Sequence, residues 1–127
     1  MNIAKKYNYN KGKDGEEIAQ KYLVEKGFGL VEMNYSNDIG EIDLIMTDGD
    51  WLVFVEVKMK IGDRFGSPEE MISKKKICQI KRVALVYLMF NREIRRKYEK
   101  FRIDAVCIVK NFDDTVKRIK YYRNIYV

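Results

Sequence analysis

The chain has 127 residues, 46% apolar and 35% charged, with 25 Lys plus Arg against 19 Asp plus Glu and a net charge of +6. That size and balance describe one folded domain with its own core rather than a disordered tail, and the basic excess favours a polyanion such as nucleic acid as partner. Histidine is absent altogether, which excludes His general bases, His metal ligands, Cys-His zinc fingers and Ser-His triads in one step.

The first twelve residues are polar and aromatic without clear periodicity and read as a loose arm, leaving residues 13–127 as a single domain. From Asp14 to Lys26 the pattern is helical, with Ile18, Ala19, Tyr22 and Leu23 on one side and Gly27 as a stop. A strand is expected over Leu30–Tyr35. Two more follow, Glu41–Met46 and Trp51–Met59, joined by "TDGD", a strong hairpin signal. Ser67, Pro68 and Glu70 match an N-cap, a first-turn proline and a capping-box acid, with Ser73 as a second candidate cap. The helix that follows runs to about Phe90, with Ile77, Ile80, Ala84 and Leu88 on one stripe. A basic connection, "NREIRRKYEKFR", leads to a strand over Phe101–Val109. That strand is apolar on both faces apart from Arg102 and Asp104, as in the centre of a sheet. A last strand covers Lys117–Val127. The fold class is therefore α/β: a mixed central sheet flanked by helices, in the order α-β-β-β-α-β-β.

Cys78 and Cys107 read as buried free thiols rather than a disulfide. The N-terminal "MNIAKKYNYNKGKDG" has no apolar signal-peptide core. The longest apolar run, Val83–Phe90, is far short of the ~20 residues of a membrane span. A cytoplasmic location without membrane association is the expectation.

The unusual stretch is "GEIDLIMTDGDWLVFVEVK", Gly40 to Lys58. Side chains alternate along a strand, so Leu52, Phe54, Glu56 and Lys58 share one face of the second hairpin strand, and Glu41, Asp43 and Ile45 one face of the first. With Asp48 and Gly49 as the turn, Asp43 pairs with Phe54 and Glu41 with Glu56, and Asp43 lies diagonally from Glu56. Opposed carboxylates destabilise a sheet, and burial raises the cost unless a cation is bound. Mg²⁺ typically takes one or two carboxylates and keeps room for water and substrate phosphate. Lys58 would then orient or deprotonate an attacking water, or neutralise charge developing on phosphate. The alternative is a solvated face on which Lys58 screens Glu41 and Glu56.

The spacing of Asp43 from Glu56-Val57-Lys58 resembles the PD-(D/E)xK nuclease superfamily, with Ile42 in place of the proline. The wider set "GEEIAQKYLVEKGF", "N…GEIDLI", "LVFVEVK", "RFGSPEE" and "K…AxxYL" resembles, from about Gly12 to Val109, the YraN-like family of small bacterial proteins. That family is similar in fold to archaeal Holliday junction resolvases. The likeness implies a restriction-endonuclease-like fold and metal-dependent cleavage of DNA phosphodiesters, branched DNA included. It implies Asp43 and Glu56 as ligands of Mg²⁺ (or Mn²⁺), Lys58 as the catalytic lysine, and Glu16, the acid after the glycine of "GE", as a further ligand or an outer-sphere acid. Helical geometry puts Glu16 on the border of the apolar face, where it also serves as a plain dipole-stabilising residue. Glu41 is either a fourth acid of the site or the partner of Lys58.

Arg64 can contact a phosphate near the site or be a loop arginine. Lys74, Lys75, Lys76, Lys81 and Arg82 form a phosphate-binding face or a solvated helix exterior, and Arg92, Arg95, Arg96 and Lys97 carry the same two readings. The expected partners are DNA and a second copy of the chain, since two-fold dimers are common and resolvases of this fold need two active sites. The competing reading is a module that keeps the fold and binds nucleic acid or protein without cutting.

Overall fold

The computed structural model describes the backbone from Ile3 to Tyr126 and side chains from Asp14 to Tyr126. Helix α1 (Ile3–Glu25) leads into strands β1 (Gly29–Ser36), β2 (Glu41–Asp48) and β3 (Trp51–Ile61). Its backbone includes most of the stretch expected to be a loose arm, whose side chains lie outside the described residues. A 3₁₀ turn (Pro68–Met71) precedes helix α2 (Lys74–Phe90), the short helix α3 (Arg92–Lys97), and strands β4 (Lys100–Lys110) and β5 (Val116–Tyr122). The sheet order is β1-β2-β3-β4-β5. Every neighbour pair is antiparallel except β3–β4. This order is compatible with a restriction-endonuclease-like fold.

The local signals explain the boundaries. α1 stops because Gly27 takes φ +100 and the N–H groups of Gly27 and Phe28 close onto the carbonyls of Val24 and Leu23, a Schellman ending that uses a residue free of Cβ strain. α2 is capped by Ser73, whose Oγ accepts the Lys76 N–H at 3.1 Å. Ser67 makes no side-chain cap and opens only the 3₁₀ turn. Of the two candidate caps, the second therefore starts the long helix.

The sheet separates two cores. On one side Ala19 and Leu23 of α1 pack on Leu44, Met46, Val53, Val55, Val106 and Ile108. On the other, Ile80, Val83, Ala84, Tyr87 and Leu88 of α2 pack on Ile45, Leu52, Phe54 and Ile103. β3 and β4 are covered on both sides, which is why they read as continuous apolar runs. The two exceptions in β4 pair with each other: buried Arg102 donates to both oxygens of buried Asp104 at 3.1 Å and to Asp48 at 2.7 Å, leaving its Nη1 without a partner among the described residues. Both cysteines are free, but only Cys107 is buried; Cys78 is exposed, contrary to expectation. No helix among the described residues is long and apolar enough to cross a membrane.

The hairpin register differs from the expected one. Asp48 pairs with Trp51, so Gly49 and Asp50 form the turn. Gly49 alone of the two takes positive φ, +59, as a type II′ turn with glycine first requires. Asp48 is held in the ladder by Arg102. The pairing thus shifts by two residues from the Asp48-Gly49 turn, and Ile45, not Asp43, lies opposite Phe54. A two-residue shift keeps each side chain on its face, but Glu41 is no longer opposite Glu56.

Candidate active site

β3 is an interior strand, paired with β2 on one side and β4 on the other, and its period-two alternation aims Glu56 and Lys58 the same way. Lys58 Nζ lies 3.4 Å from Glu56 Oε1. Glu56 is only 3% exposed, whereas Lys58 keeps part of its side chain in solvent. Lys58 therefore pairs with Glu56 and not with Glu41.

β2 follows β3 only as far as Leu44 opposite Val55. Beyond that point the backbone ladder is replaced by a side chain: Asp43 Oδ2 accepts the Val57 N–H at 2.8 Å. The strict alternation expected for β2 breaks here. Leu44 and Met46 belong to the α1-side core, while Ile42 packs in the α2-side core with Ile45. The ends of β2 and β3 thus part into a notch, with Asp43 spanning it.

α1 brings a third carboxyl to the notch. Gly15 is buried where an added Cβ would stand 3.2 Å from Met59 Cβ and 3.7 Å from Val57 Cγ1. The missing side chain lets the helix lie close on β3, and the next residue, Glu16, reaches Asp43. Asn34 of β1 also acts on Glu16 and takes the left-handed conformation at φ +53. Asn34 was not among the candidates from sequence. Its only signal was an asparagine, a residue that tolerates this backbone, inside an otherwise strand-like run.

The electrostatics follow from burial and crowding. Burial first, and then Asp43, push the Glu16 carboxyl up to about 7, against the Asn34 amide that favours the charged form. Burial and then Asp43 push Glu56 up to about 7, opposed by Lys58 and Lys76. Burial also raises Asp43, against the Val57 N–H, Lys58 and Lys76. Glu41 is exposed and adds negative charge to Glu16 and Asp43 without joining the buried group. Among the described residues, no three Asp, Glu or Cys are grouped so as to hold a metal ion by themselves.

The basic candidates divide. Lys76 is half-buried at the N-terminus of α2 and its charge acts on Asp43 and Glu56. Lys74, Lys75 and Arg82 are exposed. Lys81 is engaged elsewhere, donating to the Tyr126 hydroxyl at 2.6 Å with its ammonium 4.1 Å from that ring. Three lysines fill the first turn of α2 with no acid among them, where the helix dipole disfavours cations. Arg64 is exposed in the loop after β3, its guanidinium 5.5 Å from the Phe65 ring. Arg92, Arg95, Arg96 and Lys97 project into solvent from α3.

Residues 15–108 match the profile described as "Uncharacterised protein family UPF0102". The chain belongs to the UPF0102 family. It is 39% identical over 103 residues to a UPF0102 protein of Rhodococcus opacus, covering 81% of this chain and 85% of that one. A UPF0102 protein of Thermodesulfovibrio yellowstonii is 37% identical over 97 residues, 76% of this chain and 83% of its own. One from Clostridium tetani is 37% identical over 109 residues, 85% and 87% of the two chains. Glu16, Asn34, Asp43, Glu56, Lys58 and Lys76 of this UPF0102 protein all fall inside the matched span.

Proposed function

We propose that this UPF0102 protein is a metal-dependent DNA endonuclease that hydrolyses phosphodiester bonds, with branched DNA such as four-way junctions among its substrates. The observation that carries the reading is the notch itself: Asp43 acts on both Glu16 and Glu56, burial raises all three carboxyls, and Lys58 stands 3.4 Å from Glu56. So much buried acid is stable as a charged group only when a cation joins it.

The donors are all oxygens, which suits a hard ion such as Mg²⁺ or Mn²⁺. Asp43 and Glu56 would hold it, with Glu16 joining directly or through water. Such an ion, when bound, acidifies a coordinated water and polarises phosphoryl oxygens. The chain's own residues do the rest. Lys58 orients the attacking water or takes its proton. Asp43 fixes the strand ends by holding the Val57 N–H. Lys76 and the α2 N-terminus offset phosphate charge, and Lys74 and Lys75 supply salt-sensitive affinity for the backbone. The reading includes a cytoplasmic location and a homodimer. The exposed Leu85, Met89 and Phe90 of α2 are the surface a second copy would cover.

A second reading, a binding module without cleavage, is favoured by one observation: no three-ligand metal group forms among the described residues. Incubation with four-way junction, flap and linear DNA, with Mg²⁺, Mn²⁺ or chelator, separates the two. Cleavage that needs the ion and disappears in Glu56→Ala and Lys58→Ala supports the enzyme. Cleavage persisting in Glu56→Ala or in chelator overturns the mechanism. Binding without cleavage under every condition establishes the module.

A further inference from the structure

Phe65 and Phe112 are the most exposed large apolar side chains among the described residues, at 87% and 88%. They lie on different loops, one after β3 and one between β4 and β5. Because β3 and β4 are parallel, with Ile61 opposite Lys110, both loops leave the same end of the sheet.

The loops are tied together. Gly62 N–H donates to Lys110 O at 2.7 Å. Lys117 Nζ meets Asp63 Oδ2 at 3.0 Å. The Phe112 ring lies over Gly62, its Cζ 3.2 Å from where a Cβ would stand. The β4–β5 turn is closed further by Asn111 N–H to Thr115 O at 2.8 Å and by Asp113 accepting from the Thr115 hydroxyl at 2.6 Å. Two rings are thus held out into water by a braced pair of loops.

Charge and position say what fits them. Arg64 stands beside Phe65, and Lys60 donates to the Phe65 carbonyl at 3.5 Å. Of the acids on these loops, Asp63 is paired with Lys117 and Asp114 with Lys110, while Asp113 accepts from Thr115 alone. Ile61, the last residue of β3, is three residues beyond Lys58, about 10 Å along a strand. Flat apolar rings, with the Arg64 guanidinium beside Phe65, one strand end from the acid notch, suit bases that have left the duplex stack.

We propose that Phe65 and Phe112 form a stacking platform for unpaired nucleobases, so that the protein engages DNA at branch points and single-stranded junctions rather than along continuous duplex. The inference rests on the nuclease reading and names the substrate feature that its site would select. Arg64 contributes to the same surface by packing a cation against the stacked base.

The test compares wild type with Phe65→Ala, Phe112→Ala and the double variant, using a flap and a four-way junction carrying 2-aminopurine at the branch, beside blunt duplex. Both positions are solvent-exposed, so the variants should fold, and circular dichroism checks that they do. Binding is measured in chelator at fixed salt, and cleavage separately with Mg²⁺ or Mn²⁺. Each single change is expected to weaken flap and junction binding roughly tenfold, to alter the 2-aminopurine emission, and to leave duplex binding within about twofold. Equal loss on duplex, or no loss anywhere while cleavage continues, overturns the platform and leaves the nuclease reading intact. A wild-type dimer that the double variant converts to monomer assigns the rings to a protein interface and also overturns it. Failure of wild type to bind or cut any of these DNAs removes both readings.

Discussion

Lys58 and Glu56 leave the same face of β3 two residues apart and meet at 3.4 Å, the lysine part-exposed and the acid buried. Lys58, with Lys76 acting from the start of α2, is set against Glu56, Asp43 and Glu16, so the ionised cluster carries more negative charge than these two lysines neutralise. That imbalance has measurable consequences with or without substrate.

The first is a pH dependence of stability. Glu16 and Glu56 are raised from the usual 4.5 to about 7 in the folded protein. A raised acid holds its proton more tightly when folded, so stability falls as pH climbs from about 4.5 to 7. For buried Glu56 the loss is on the order of 2–3 kcal/mol. With no histidine in the chain, no imidazole titration obscures this window. Thermal melts in chelator should drop in midpoint between pH 5 and pH 8, and Glu56→Gln should flatten the slope. A midpoint that rises across that range contradicts the assignment.

Metal binding should run the other way. An ion displaces protons from Glu56 and Glu16, so affinity should increase from pH 6 to pH 8 and binding should release protons. Calorimetry with Mn²⁺ in two buffers of different ionisation enthalpy measures the release directly. At pH 8 saturating Mg²⁺ or Mn²⁺ should recover the midpoint lost in chelator. Lys58→Met should leave more negative charge for the ion to neutralise while removing cleavage.

Asp43 has two tasks that a pair of substitutions separates. Asp43→Asn keeps an oxygen to accept the Val57 N–H and removes the charge. It should abolish cleavage with less than about 1 kcal/mol of destabilisation. Asp43→Ala leaves a buried N–H without an acceptor, which costs about 1–3 kcal/mol. Denaturant unfolding of both variants tests the order; similar destabilisation by both would show that the Val57 bond is not made through the oxygen.

A control lies in β4. Asp104 accepts from Arg102 Nε, the Tyr121 hydroxyl and the Asn124 N–H. Asp104→Ala leaves Arg102 buried beside an empty site, a change worth about 3–5 kcal/mol. Unfolding should shift strongly, whereas catalysis by the protein that remains folded should change little.

The lysines of the α2 first turn should act through salt. Replacing Lys74 and Lys75 by Gln should weaken duplex and branched DNA alike and lower the slope of log affinity against log salt by about one per lost contact. An unchanged slope would place the phosphate backbone elsewhere.

Much of the fold was legible because the signals were local. Strand alternation, the Gly27 stop and the α2 stripe each depend on a few neighbouring residues. The hairpin register was less so. Asp48-Gly49 reads as the turn until Arg102, more than fifty positions later, claims Asp48 for the ladder. The break at Asp43 was hidden for the same reason: Ile42 is apolar and fits either core, and only the divergence of β2 from β3 decides which. The acids and Lys58 were visible as charges out of place on a hairpin. Asn34 was not, since its contribution depends on a left-handed backbone and on a helix arriving from elsewhere. Lys76 stood among identical neighbours, and only its half-buried place at the helix start distinguishes it.

The bond from Val57 to Asp43 also gives the site a reporter. A main-chain amide in the middle of the sheet normally reads out only the ladder it belongs to. This one is tethered to a carboxylate whose electronic surroundings change when a proton or an ion arrives. Its nuclear magnetic resonance shift should therefore follow the chemical state of the notch directly, with no label, substrate or turnover required. One backbone proton serves as the protein's own indicator dye.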